Sequence, residues 1–134
     1  LKNVVNPDDI VQQYGADTLR MYEMFMGPFE QNKAWSTESV EGMYKFLTRI
    51  WRFFMEKDVE KFCPSKELVM LMHQTIKKVT EDIEDFKFNT AISQLMIWMN
   101  AFSKLDKVPL IAGSRFIRLL APFAPHMAEE IWHQ

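Results

Sequence analysis

"VMLMHQTIKKVTEDIEDF", Val69 to Phe86, is the most regular stretch of this chain and the one that sets its fold class. Val69, Met72, Ile76, Val79, Ile83 and Phe86 recur at spacings of 3, 4, 3, 4 and 3. An α-helix turns about 100° per residue, so such a row forms one apolar stripe down a single side. That is the seam of a helix packed against other helices. Lys77–Glu81 and Lys78–Asp82 fall at i,i+4 on the side read as exposed, each worth about 0.2–0.5 kcal/mol. Glu81, Asp82, Glu84 and Asp85 point in several directions around the helix, with lysines one turn back. They read as a solvated face, not as a metal site.

Elements of the same kind lie on both sides. Cys63-Pro64-Ser65 separates the stretch from an upstream helix that opens at Ser36 or Thr37 and runs to about Lys57. Its apolar row is Val40, Met43, Leu47, Ile50 and Phe54, widened by Tyr44 and Trp51. Downstream, Asn89 or Thr90 starts a helix with the row Ile92, Leu95, Met99 and Phe102, and another is expected from Leu110 to Leu120. Pro122 and Pro125 interrupt it, and Pro125 is suited to the first position of a final helix. Near the N-terminus, Asn6 caps a short helix with Pro7 at its first position and Asp8 and Asp9 at the positive end of its dipole. Gly15 supplies a left-handed stop, Asp17 caps a second start, and Gly27-Pro28 ends the run. No strand-type alternation or hairpin turn occurs. The expected fold is all-α, an antiparallel helical bundle with short connections.

Composition agrees. The 134 residues are 48% hydrophobic and 25% charged, an ordinary globular mixture for one domain or a piece of a larger protein. Ten methionines and eleven phenylalanines suit irregular bundle packing. No apolar run approaches the roughly 18 residues of a membrane span, and no signal-peptide pattern opens the chain. Cys63 is the only cysteine, which excludes an internal disulfide and a cysteine-built zinc site and fits a reducing, cytoplasmic setting. His73, His126 and His133 lack the spacing of paired ligands. The glycines are scattered rather than gathered in a phosphate loop, and no nucleophile arrangement is present. No catalytic residue and no metal site is assigned.

The cations carry more information. Lys45, Arg49 and Arg52 fall at i, i+4 and i+7, one stripe opposite much of the apolar seam, and Arg115 and Arg118 form an i,i+3 pair. Such groups suit phosphates, where they displace counterions. Net charge is −2, so a nucleic-acid partner has to be held by a local patch. Trp35 is the aromatic expected to be most exposed and able to stack on a base.

"NVVNPDDIVQQYGADTLRMYEMFMGPFEQNKAW", Asn3 to Trp35, resembles the segment that follows the Lys-Met-Ser-Lys-Ser loop of class I aminoacyl-tRNA synthetases. "EMFMGP" at Glu23–Pro28, with Trp35 after it, tilts the likeness to the leucyl enzymes over the valyl, isoleucyl and methionyl ones. "VTEDIEDFKFNTAIS" (Val79–Ser93) and "LAPFAPHMAEEIW" (Leu120–Trp132) are similar to later parts of the same helical domain, in the same order.

The resemblance implies that Leu1, Lys2 and Asn3 flank the signature loop. Residues 1–26 would then link the catalytic core to a helical tRNA-binding domain of the anticodon-binding type over 27–134. The parent would ligate leucine to tRNA(Leu) through leucyl-adenylate, using ATP with Mg. The catalytic and editing sites would lie upstream, leaving this piece inactive and without a cofactor of its own. Its partners would be tRNA(Leu) and the rest of the parent chain, acting as a monomer and away from membranes. In bacterial leucyl enzymes the anticodon bases are not read, so support by shape and backbone is expected. A self-contained helical scaffold for protein partners is the competing expectation.

Overall fold

Over residues 6–26 and 37–134, which the structure (a computed structural model) describes, seven helices follow one another. They are α1 (Pro7–Tyr14), α2 (Ala16–Phe25), α3 (Thr37–Glu56), α4 (Lys66–Glu84), α5 (Phe88–Phe102), α6 (Leu110–Leu120) and α7 (Pro125–Trp132). Leu1, Lys2, Asn3 and Trp35 lie outside the described residues. α4 and α5 pack most extensively, α2 lies against α3 and α5, and α6 packs against α4 and α7. α2 contributes Met21 and Tyr22 to the common core, so in packing terms it is part of the bundle.

Local chemistry places several of the helix ends. Asn6 Oδ1 accepts from the Asp8 N–H at 2.9 Å, and Ser65 Oγ accepts from the Leu68 N–H at 3.2 Å, each capping a helix. Gly15 closes α1 and opens α2 with φ 95° and ψ 156°. That is an extended, positive-φ conformation confined almost to glycine, rather than the left-handed helical one expected.

Two corrections concern the stretch that decided the fold. The buried side of α4 is Leu68, Met72, Thr75, Val79 and Asp82, one residue round from the expected row; Val69, Ile76 and Ile83 are half-buried flanks. The seam can rotate because its two polar members find partners on α5. Gln94 Nε2 donates to Thr75 Oγ1 at 3.0 Å, and Thr90 Oγ1 donates to Asp82 Oδ2 at 2.6 Å. Asp82 therefore belongs to the helix interface, not to a solvated face, while Lys78 reaches it from outside at 3.1 Å. Burial pushes the Asp82 carboxyl up. The Thr90 hydrogen bond, the Lys78 ammonium and the charge of Lys87 outweigh that and hold it below its ordinary value. Among the described residues no group of histidine, cysteine and acidic side chains could hold a metal ion.

Phe86 leaves the row altogether and is 74% exposed. Its φ of 58° makes it the left-handed residue that terminates α4. The Phe86 N–H donates to the Ile83 carbonyl at 3.2 Å and the Lys87 N–H to the Asp82 carbonyl at 2.7 Å. This is the paired closure that usually employs glycine.

The core is an aromatic stack. The Trp98 and Phe102 rings stack at 5.1 Å, Phe102 stacks on Phe53 at 5.2 Å, and Phe116 meets Trp98 edge-on at 5.2 Å. Such pairs contribute about 0.5–1.5 kcal/mol beyond their burial. Gly113 permits α6 to approach, since a Cβ there would lie 2.9 Å from Val108 Cγ1. The fold is all-α as expected; beside the helices the described residues hold one two-residue parallel pair, β1 (Val59–Glu60) with β2 (Val108–Pro109). It is too short to produce an alternating pattern and ties the loops before α4 and α6 together.

Candidate nucleic-acid interface

α3 is the longest described helix and presents three different sides. Val40, Met43, Phe46, Leu47, Ile50, Phe53 and Phe54 enter the core. Lys45, Arg49 and Arg52 are exposed on the far side, as their spacing requires. Arg49 Nη2 donates to Asn100 Oδ1 on α5 at 2.9 Å, which orients the guanidinium without neutralising it. None of the three takes part in an ion pair among the described residues. The stripe is therefore an assembled cationic ridge.

Arg115 and Arg118 do not join that ridge. Arg115 Nη1 lies 4.0 Å from Met72 Sδ on α4, and the Arg118 guanidinium sits 5.5 Å from the centre of the Trp132 ring on α7. The pair is exposed but splits towards different neighbours. Lys57 is withdrawn from any interface, because its ammonium donates to the Ser103 and Leu105 carbonyls at the end of α5.

The third side of α3 was misread in the sequence. Tyr44 and Trp51, placed there in the apolar row, are exposed by 44% and 36%. Together with Thr48 they form one wall of a groove of about 450 Å³. Tyr14 and Gly15 at the α1–α2 corner and His126, Met127 and Glu130 on α7 complete it. The Tyr14 and Tyr44 rings meet edge-on at 5.6 Å, and the Tyr14 hydroxyl donates to Glu41 Oε2 at 3.3 Å. Loss of solvation and the neighbouring Glu41 carboxylate raise the Tyr14 hydroxyl above its ordinary pKa. A second groove, of about 460 Å³, is almost wholly apolar and lies between Phe62, Cys63, Leu68, Met72, Leu110 and Ile111.

The groove's floor is fixed by a clamp that sequence reasoning also missed. Asp17 was expected to cap α2. Its carboxylate instead accepts from the backbone N–H groups of His126 at 3.3 Å and Met127 at 2.7 Å, the open end of α7. One turn along α2, the Arg20 guanidinium donates to the Pro122 carbonyl at 3.0 Å and 2.8 Å, just past the end of α6. The anion thus meets the positive end of one helix dipole and the cation the negative end of another. A signal was available: α7 opens with Ala124-Pro125, and alanine has no side-chain acceptor to cap it.

Residues 65–134 match the family described as "Anticodon-binding domain of tRNA ligase". A solved structure similar to 98% of this chain is the ternary complex LeuRS-tRNA-LeuAMS of agnB2 from Agrobacterium radiobacter K84. The identity is 33% and the TM-score 0.81, and this chain spans 20% of that one.

Proposed function

Because this chain belongs to the anticodon-binding domains of tRNA ligases, we propose that it is the tRNA-holding helical bundle of a leucyl-tRNA synthetase. The observation that carries the reading is the likeness to a LeuRS over 98% of the chain, α1 and α2 included. The unpaired ridge of Lys45, Arg49 and Arg52 supports contact with the phosphate backbone. A net charge of −2 suits a role in which the bundle positions RNA locally and does not attract it from every side.

In this reading the parent protein joins leucine to tRNA(Leu) with ATP and Mg through leucyl-adenylate. The residues here supply neither the adenylation site nor the editing site. α1 and α2 act as the connection to the catalytic body, and the Asp17–Arg20 clamp makes that connection rigid at the α6–α7 corner. The partners are tRNA(Leu) and the rest of the parent chain. No helix among the described residues is long and apolar enough to cross a membrane; we place the parent, as a monomer, in the cytoplasm.

The test is a titration of the 134-residue chain with a tRNA(Leu) transcript across a salt series. Binding that weakens steadily with salt is expected, together with no leucine-dependent pyrophosphate exchange. Affinity indifferent to salt, or exchange by the isolated chain, would overturn the reading.

A further inference from the structure

We infer that the groove between the α1–α2 corner, α3 and α7 receives one unpaired nucleobase of the bound tRNA, stacked on Trp51. This rests on the tRNA-holding role and deepens it by naming what the bundle recognises. The groove's wall on α3 is Tyr44, Thr48 and Trp51, and the cationic ridge is Lys45, Arg49 and Arg52. Each ridge residue follows a wall residue by one position, so the two stripes are neighbours about a quarter-turn apart along the same helix. A nucleotide has the same construction, a flat apolar face joined to an anion at its edge. Base in the groove and phosphate on the ridge satisfies both at once.

The groove's chemistry favours a base over an apolar segment. Its volume of about 450 Å³ falls in the roughly 300–1,000 Å³ range of ligand clefts. Its rings belong to residue types with one polar edge, and Glu130 and His126 stand at its rim. The Asp17 carboxylate is taken up by the α7 N–H groups and is not an acceptor left for the ligand. Glu41 is likewise engaged by Tyr14. Glu130 remains as an acceptor for the amino or imino hydrogens of a base edge. Stacking of this type tolerates any base and adds affinity without adding phosphate contacts.

The experiment uses the full parent synthetase and a tRNA(Leu) transcript probed by base-specific chemical modification. The wild-type complex should protect one unpaired base that Trp51→Ala leaves reactive. Trp51→Ala should weaken binding by about 5- to 100-fold with the salt slope unchanged, and Trp51→Phe should retain most of the affinity and the protection. Circular dichroism checks folding; if the alanine variant unfolds, Trp51→Leu replaces it and should behave alike. Lys45→Ala with Arg52→Ala should instead flatten the salt slope. If Trp51 variants bind as wild type and protect the same bases, the groove proposal fails while the ridge stands. The same holds if they lose only contact with the catalytic body, which would make the groove a protein seat. If the ridge variants are also without effect, the tRNA-holding role itself fails.

Discussion

Thr90 Oγ1 donates a 2.6 Å hydrogen bond to the carboxylate of Asp82 across the α4–α5 hairpin, inside an interface whose other buried polar pair is Gln94 with Thr75. A charged group buried in this way has to be satisfied, and three partners hold it ionised. Its folded pKa lies below the ordinary aspartate value of 3.8. The stabilisation is therefore complete at pH well above 3.8 and is lost as pH falls through the lower folded value. Asp82→Asn is expected to cost about 1–3 kcal/mol at pH 7, with the gap to wild type closing below about pH 4. Urea unfolding at pH 7, 5 and 3 measures it; a pH-independent gap contradicts the assignment.

The clamp on α7 gives a second expectation. Asp17→Ala removes a buried charge acceptor from two N–H groups and should destabilise by about 1–3 kcal/mol. Asp17→Asn keeps an acceptor oxygen without the charge and should cost about half as much. Hydrogen exchange of the His126 and Met127 amides should quicken in both variants. Unaltered protection at those two amides would show that the cap does not operate in solution.

Gly15 tests backbone strain apart from packing. A Cβ there would meet nothing within 4 Å, so space is not limiting. Its φ of 95° and ψ of 156° are nevertheless costly for any other residue. Gly15→Ala should lower stability by about 1–3 kcal/mol, read as a drop in Tm by calorimetry.

Phe86 is the opposite case. It holds a left-handed conformation that glycine adopts freely, and its ring is mostly in solvent with one edge contact to Phe88 at 5.9 Å. Phe86→Gly should stabilise the chain by about 0.5–1 kcal/mol, the relief of strain exceeding the added freedom of the unfolded glycine. Chemical denaturation of the two proteins side by side decides it.

The ridge predicts unequal roles for its members. Lys45→Ala and Arg52→Ala should each reduce the magnitude of the salt slope of tRNA binding by about 0.7–0.9, one phosphate apiece. Arg49→Ala should change it less, since its guanidinium is shared with Asn100. Filter binding at several salt concentrations separates the three.

Helices were legible because apolar periodicity and end signals are local. Asn6, Ser65, Pro125 and Gly15 each mark a boundary through chemistry confined to a few residues. Orientation about the helix axis was less legible, because Thr75 and Asp82 look polar until Gln94 and Thr90 are seen to satisfy them. Tyr44 and Trp51 were drawn into the seam by their apolarity, although no neighbour covers them fully. The exposure of Lys45, Arg49 and Arg52 was legible, since it follows directly from their spacing on the helix. The clamp could not be read from Asp17 and Arg20 alone, because their partners lie more than a hundred residues away in sequence.

That distance has a bearing on how the protein is made. α2 leaves the ribosome well before α7, so the amides and the carbonyl that seat it emerge about a hundred residues after it. Until His126 and Met127 leave the exit tunnel, Met21 and Tyr22 have an unfinished cavity to enter, and α1 and α2 must wait undocked. Nascent chains halted before residue 125 should thus lose α1 and α2 to proteolysis, while the α4–α5 hairpin already resists it.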